Sequence, residues 1–208
     1  MTATQPPAVA EPMPPKLIDL PRCEAAVRDL LAALGQDGKD EVRENTPGRV
    51  AQMYAEVMNP PNIDIEVPWK LFPNETGYDD LVMVLDTHYV SICEHHLAPA
   101  FGVAHFAYVP DQLITGYSKV KKGLNYLARQ PTMNERLLTS TLDVLEHVIQ
   151  PRGVALILRS VHCCLAMKAN APSQETVIVQ GFRGCLKTDP YRREFTEAAW
   201  SRPPLFTA

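Results

Sequence analysis

The hydrophobic pattern of this chain changes period near residue 80, and that change constrains the fold more than any other feature. Before it, apolar residues recur at helical spacing. Ala26, Val27, Leu30, Leu31 and Leu34, with Gly35 as a stop, predict a helix from Cys23 to Leu34. A second helix is expected to open at Thr46-Pro47, an N-cap and first-turn proline. It runs through Val50, Met53, Tyr54 and Val57 to Met58, where Asn59-Pro60-Pro61-Asn62 ends it. After residue 80 the pattern is extended. Leu81 to Leu85 and Tyr89 to Ile92 predict one strand with a bulge near Asp86, and Phe101 to Val109 a second. Ile114 to Tyr117 reads as a short extended piece. Helices are expected at Ser118 to Ala128, with Ser118 as N-cap, and at Asn134 to Ile149, with Asn134 as cap. Strands follow at Val154 to Val161 and Thr176 to Val179, then a closing helix at Pro190 to Trp200.

The order strand, strand, helix, helix, strand, strand predicts an antiparallel α+β domain: a four-stranded sheet with helices on one face, behind an N-terminal helical arm. The expected division is a disordered Pro/Ala-rich tail at 1–17, the arm at 18–75 and the sheet domain at 76–208. Such a sheet has a second face and two edges to cover. Closing it across subunits into a barrel covers both, so self-association is expected.

Charge excludes two classes of partner. Twenty Lys+Arg against 24 Asp+Glu leave the 208-residue chain at net −4, without the basic surplus that holds proteins on nucleic acid or anionic lipid. Lys119-Val120-Lys121-Lys122 is too short, and lacks the interleaved aromatics, for a nucleic-acid patch. No apolar run approaches the roughly 20 residues that span a bilayer. Met1 to Pro15 lack a secretory signal's basic and apolar regions, and the five cysteines are an odd number with two adjacent. The expected setting is cytoplasmic, with thiols reduced and free to bind metal.

Two His/Cys clusters carry the chemistry. Cys93-Glu94-His95-His96 follows a strand, where a turn presents Cys93 and His96 three residues apart to one ion. His162-Cys163-Cys164 ends another predicted strand, and alternation puts His162 and Cys164 on one face with Cys163 on the other. Cys93, His96 and Cys164 then make a Cys2His set, and three protein ligands with an open position is the pattern of a catalytic zinc site. His95 and His162 remain as imidazoles suited to proton transfer near neutral pH. A closed zinc clip, with His95 or His162 as fourth ligand, is the alternative on spacing alone.

The ordered set SICEHHLAPAFGVAHFAYVPD, GYSKV, NERL, HCCLAMK and PYRREF, with TPGRVAQMY in the helical arm, resembles the GTP cyclohydrolase I family from about Cys23 to Phe195. The resemblance implies the tunnelling fold, whose subunits close into barrels and stack as a homodecamer with sites at subunit junctions. It implies Zn2+ on Cys93, His96 and Cys164, with His95 and His162 as catalytic acid/base groups. Glu135 matches the carboxylate that holds the guanine edge, and Ser118 and Lys119 match triphosphate contacts. Arg49 matches a basic residue lent by a neighbouring subunit. The implied reaction opens the imidazole ring of GTP, releases formate and forms 7,8-dihydroneopterin triphosphate, the first step of pterin and tetrahydrofolate synthesis.

The phosphate end departs from that pattern. Lys122 and Lys168 stand where the family typically has arginines, Gln52 where a basic residue is usual, and Asn134 where a glutamine precedes the substrate-binding carboxylate. Lysine keeps the charge but loses arginine's planar fork. Lys122, Lys168 and Asn134 stay among the expected substrate contacts, and a different or less phosphorylated purine nucleotide is the alternative substrate. A non-catalytic zinc-stabilised oligomer is a further alternative, though a scaffold needs neither unligated histidine nor Glu135. A same-fold reductase of a deazapurine nitrile would use a cysteine nucleophile, which the zinc-ligand set argues against.

Overall fold

The computed structural model describes residues 18–58, 69–168 and 175–202. The tail at 1–17 and the Asn59–Asn62 stop lie outside the described residues. The chain separates into two compact units, one carrying the first two helices and the other everything from the first strand onward.

In the smaller unit α1 spans Leu20–Ala33, with the Asp19 carboxylate accepting from the Arg22 N–H as its cap. Helix α2 spans Asp40–Met58, so it starts before Thr46 and holds Pro47 inside it. Acidic Asp40 and Glu41 suit the positive end of a helix. Glu41 also accepts from Asn45 at 2.6 Å and Arg49 at 2.7 Å, which ties the first turns together across the proline.

The larger unit is built on a five-stranded sheet in the order β5-β2-β3-β6-β7. Strands β2 (Val82–Cys93), β3 (Pro99–Val109), β6 (Gly153–His162) and β7 (Val177–Gly184) are long and mutually antiparallel. Strand β5 (Pro131–Thr132) is a fifth, parallel to Ile92–Cys93, so the sheet is neither four-stranded nor wholly antiparallel as expected. β1 (Leu71–Pro73) pairs with β4 (Leu113–Thr115) in a separate ribbon, so residues placed in the arm by sequence belong to this unit. The bulge falls between Val84 and Thr87, where Asp86 takes φ +57°, a conformation aspartate tolerates better than most residues.

Helices cover both faces of the sheet rather than one. Helices α3 (Tyr117–Ala128) and α4 (Asn134–Ile149) pack Val120, Leu124, Leu137 and Leu145 on Phe106, Tyr108, Leu156 and Leu158. On the opposite face Phe195 and Ala199 of α6 (Tyr191–Trp200) join Ala107, Val109, Ala155 and Ile157. A closing helix with two buried apolar residues has to cover some apolar surface, and the first face is already filled.

Three local expectations change. Gly116, not Ser118, is the N-cap of α3, and Met133, not Asn134, that of α4; neither cap uses a side chain. The strand expected to carry His162, Cys163 and Cys164 stops at His162, and Cys163–Lys168 forms a helix, α5. Its ladder on β3 ends at the pair Ala100–His162. Next along β3 is Pro99, which has no N–H for a further pairing, so the chain leaves the sheet there.

Candidate metal and nucleotide site

The site grows from the ends of β2 and β6. The loop between β2 and β3 is closed by backbone bonds of 2.9 Å from Leu97 N–H to the Cys93 carbonyl and from Cys93 N–H to the Ala98 carbonyl. Leu97 at φ +53° completes the turn, which folds His96 back over Cys93. The Cys93 Sγ lies 3.7 Å from His96 Nδ1 and 3.8 Å from Cys164 Sγ. All three donor atoms lie within 4.8 Å of one another, with both cysteines buried and His96 exposed.

Those spacings can be compared with what a metal requires. Zinc–sulfur bonds of about 2.3 Å and zinc–nitrogen bonds of about 2.0–2.1 Å in tetrahedral array put two sulfurs about 3.8 Å apart, and sulfur and nitrogen about 3.6 Å apart. The separations from Cys93 to Cys164 and from Cys93 to His96 match those values. Burial, and then Cys93 beside it, push the Cys164 thiol above its ordinary range. Two adjacent buried thiols resist ionising together, and a dication between them removes that conflict.

The expected ligands therefore converge, but not by strand alternation. Cys164 is the second residue of α5, and the helical turn aims its sulfur at Cys93 while Cys163 lies partly buried beside them. His95 is largely exposed, 3.7 Å from Glu94, and Glu94 is held at 2.6 Å by Arg136 of α4. His162 is half-buried, with an Nε2 that finds no hydrogen-bond partner among the described residues. Burial holds it below the ordinary histidine range, while the Glu135 carboxylate pulls the other way.

The remaining expected contacts are distributed as follows. Glu135 stands exposed in the first turn of α4. Ser118 and Lys122 are exposed on α3, and Lys119 is half-buried. Arg49 belongs to the smaller unit, ion-paired with Glu41, and Gln52 donates to Glu56 at 3.1 Å. Lys168 closes α5, and its side chain lies outside the described residues. Asn134 departs most from expectation. It is 2% exposed, and its amide donates to Ser160 Oγ at 2.6 Å. Ser160 escaped the sequence reading, although a serine inside the apolar strand GVALILRSVH is the signal that would have found it.

A mixed sheet that gathers a Cys2His donor set, a half-buried imidazole and a helix-borne carboxylate at one end offers a candidate metal site beside groups able to move protons. The family follows from comparison. The model of the family described as GTP cyclohydrolase I matches residues 23–199, and this chain belongs to that family. It is similar to the GTP cyclohydrolase 1 of Aquifex aeolicus, 36% identical with 85% of this chain and 94% of the relative covered. The GTP cyclohydrolase 1 of Acetivibrio thermocellus is 37% identical, with 85% and 95% covered. That of Rhodopirellula baltica is 36% identical, with 85% and 76% covered. Among the described residues no helix is long and apolar enough to cross a membrane.

Proposed function

We propose that this protein is a zinc-dependent GTP cyclohydrolase that opens the guanine imidazole ring, releases formate and forms 7,8-dihydroneopterin triphosphate. One observation carries the reading: three donors within 4.8 Å of one another stand beside a half-buried histidine whose Nε2 has no hydrogen-bond partner among the described residues. Cys93, His96 and Cys164 would hold zinc, which when bound supplies Lewis-acid activation of water at neutral pH.

The rest is the work of the chain. Glu135, in the first turn of α4, accepts hydrogen bonds from the guanine N1–H and exocyclic amine. His162 is the natural donor to N7, since protonation there makes C8 electrophilic and its Nε2 has no competing hydrogen bond among the described residues. His95, exposed beside Glu94, exchanges protons with water during ring opening and the later sugar rearrangement. Ser118, Lys119 and Lys122 give α3 an exposed hydroxyl and two ammonium groups for a triphosphate, with Lys168 as a further cation.

Assembly completes the reading. The outer edge of β7 pairs with no strand among the described residues, and Ile178 and Phe101 are exposed on the sheet. Edge-to-edge closure of copies into the barrels of a tunnelling-fold homodecamer would cover them and bring Arg49 of one copy to the site of another. The five free cysteines suit a reducing cytoplasm.

Zinc-loaded protein incubated with GTP, GDP, guanosine and ATP tests this, with formate and pterin fluorescence read together. Stoichiometric formate and pterin from GTP alone is expected. Formate and pterin from guanosine at the same rate would remove the triphosphate from the reading, and neither product from any nucleotide would remove the enzyme.

A further inference from the structure

The row of side chains beneath the site has no assigned role, and it is built across three strands and a helix. Tyr89, Gly102 and Ser160 are register partners on β2, β3 and β6, on the face that carries α4. One step further along the same face stand Ser91, Ala100 and His162. A Cβ at Gly102 would collide with the Tyr89 ring, so the glycine lets that ring lie flat across β3 towards Ser160. Tyr89 is buried, and its hydroxyl is pushed up to about 12 by burial, tempered by the neighbouring Ser160. Asn134 closes the row from above through its 2.6 Å bond to Ser160.

We propose that Asn134 and Ser160 are positioning residues, whose bond pins the first turn of α4 to β6 and thereby sets the spacing of Glu135 from His162. The proposal rests on the guanine-binding and proton-transfer reading of those two residues. It also accounts for a difference in the chain. An asparagine one position before the carboxylate is short enough to turn inward and bond the sheet, leaving Glu135 alone to meet the base. Helix α4 has no side-chain cap at Met133, so the bond from Asn134 is a side-chain tie between its first residue and the sheet. Losing the serine oxygen leaves a buried amide donor unpaired, which costs enough to shift the turn rather than leave it in place.

The test compares GTP with inosine triphosphate, which keeps N1–H but lacks the exocyclic amine that Glu135 reads. For Ser160→Ala the ratio of kcat/KM between the two nucleotides is expected to fall about 10-fold or more from wild type, with zinc content unchanged. Ser160→Thr keeps the oxygen and is expected to keep the ratio. A merely structural role would lower the melting midpoint and the active fraction for both nucleotides alike, leaving the ratio unmoved. Should Ser160→Ala fail to fold, Ser160→Cys, nearly isosteric and a much weaker acceptor, reads the same quantity. Glu135→Ala separates the two ways of failing. If it collapses the ratio while Ser160→Ala and Ser160→Cys stay within about 2-fold of wild type, the positioning proposal is overturned and the Glu135 reading stands. If Glu135→Ala leaves the ratio intact, the guanine reading of Glu135 falls and takes the proposal with it.

Discussion

Cys163 is the other cysteine packed against the cluster, but it is the Cys164 sulfur that lies 3.8 Å from Cys93. Cys93→Ala, His96→Ala and Cys164→Ala should each lose stoichiometric zinc, and Cys163→Ala should keep it, by elemental analysis of purified protein. Zinc lost in Cys163→Ala and retained in Cys164→Ala would hand the ligand role to the neighbour. His162→Ala should keep zinc and lose about 10²–10⁴-fold in kcat, the usual worth of a general acid–base group. A variant without metal would make His162 a ligand instead. Residue identity was readable at this scale because cysteine and histidine announce their chemistry. The pairing of Asn134 with Ser160 was not, because a lone serine in an apolar strand marks one partner and nothing local names the other, 26 residues away.

Elements were legible where periodicity was strong and obscure where a tertiary contact overrode it. The alternation in β3, the bulge at Asp86 and the stripe on α4 follow from residue spacing alone. The start of α2 was hidden because Pro47 reads as a first-turn residue, whereas the pairs made by Asp40 and Glu41 extend the helix in front of it. β7 runs to Gly184, past the Val179 expected, because Gly181 is a packing site: a Cβ there would stand 2.5 Å from Leu142 of α4. Gly123 of α3 is the same device. It is buried, and a Cβ would overlap the ring of Trp69, a core residue 5% exposed. Gly123→Ala ought to raise intrinsic helix propensity by about 1 kcal/mol, yet the rigid indole cannot yield as a flexible chain end could. Overpacking of this kind typically costs about 1–3 kcal/mol. The thermal midpoint should therefore drop, and a rise would mean that Trp69 does not pack on α3.

For the whole molecule, the second face of the sheet is where burial and charge meet. His105 is fully buried there on β3, with Asp86 of the β2 bulge, Arg159 of β6 and Arg202 beyond α6 as the charged groups around it. Its Nδ1 accepts from the Asp86 N–H at 3.3 Å, which leaves the proton of the neutral ring on an Nε2 with no partner among the described residues. Arg202 holds the Asp86 carboxylate at 2.6 Å, and Arg159 lies over the ring of Trp200, so the end of α6 is fastened above this histidine. Burial depresses the His105 pKa first, Asp86 opposes that, and the two arginines reinforce it. The sign follows directly. A histidine held neutral in the fold contributes its full stability above the unfolded value of about 6.5, and loses it as pH falls because the unfolded chain takes up a proton that the fold refuses. Below pH 6.5 the slope approaches about 1.4 kcal/mol per pH unit for one such group. Urea unfolding of wild type and His105→Gln between pH 7.5 and 5 isolates it, since every other residue is the same in both proteins. Glutamine retains an acceptor for the Asp86 N–H and does not titrate in this range, so the variant should start less stable at pH 7.5 and close the gap as pH falls. A gap that stays constant or widens towards pH 5 would mean that His105 charges within the fold, with the Asp86 attraction outweighing burial.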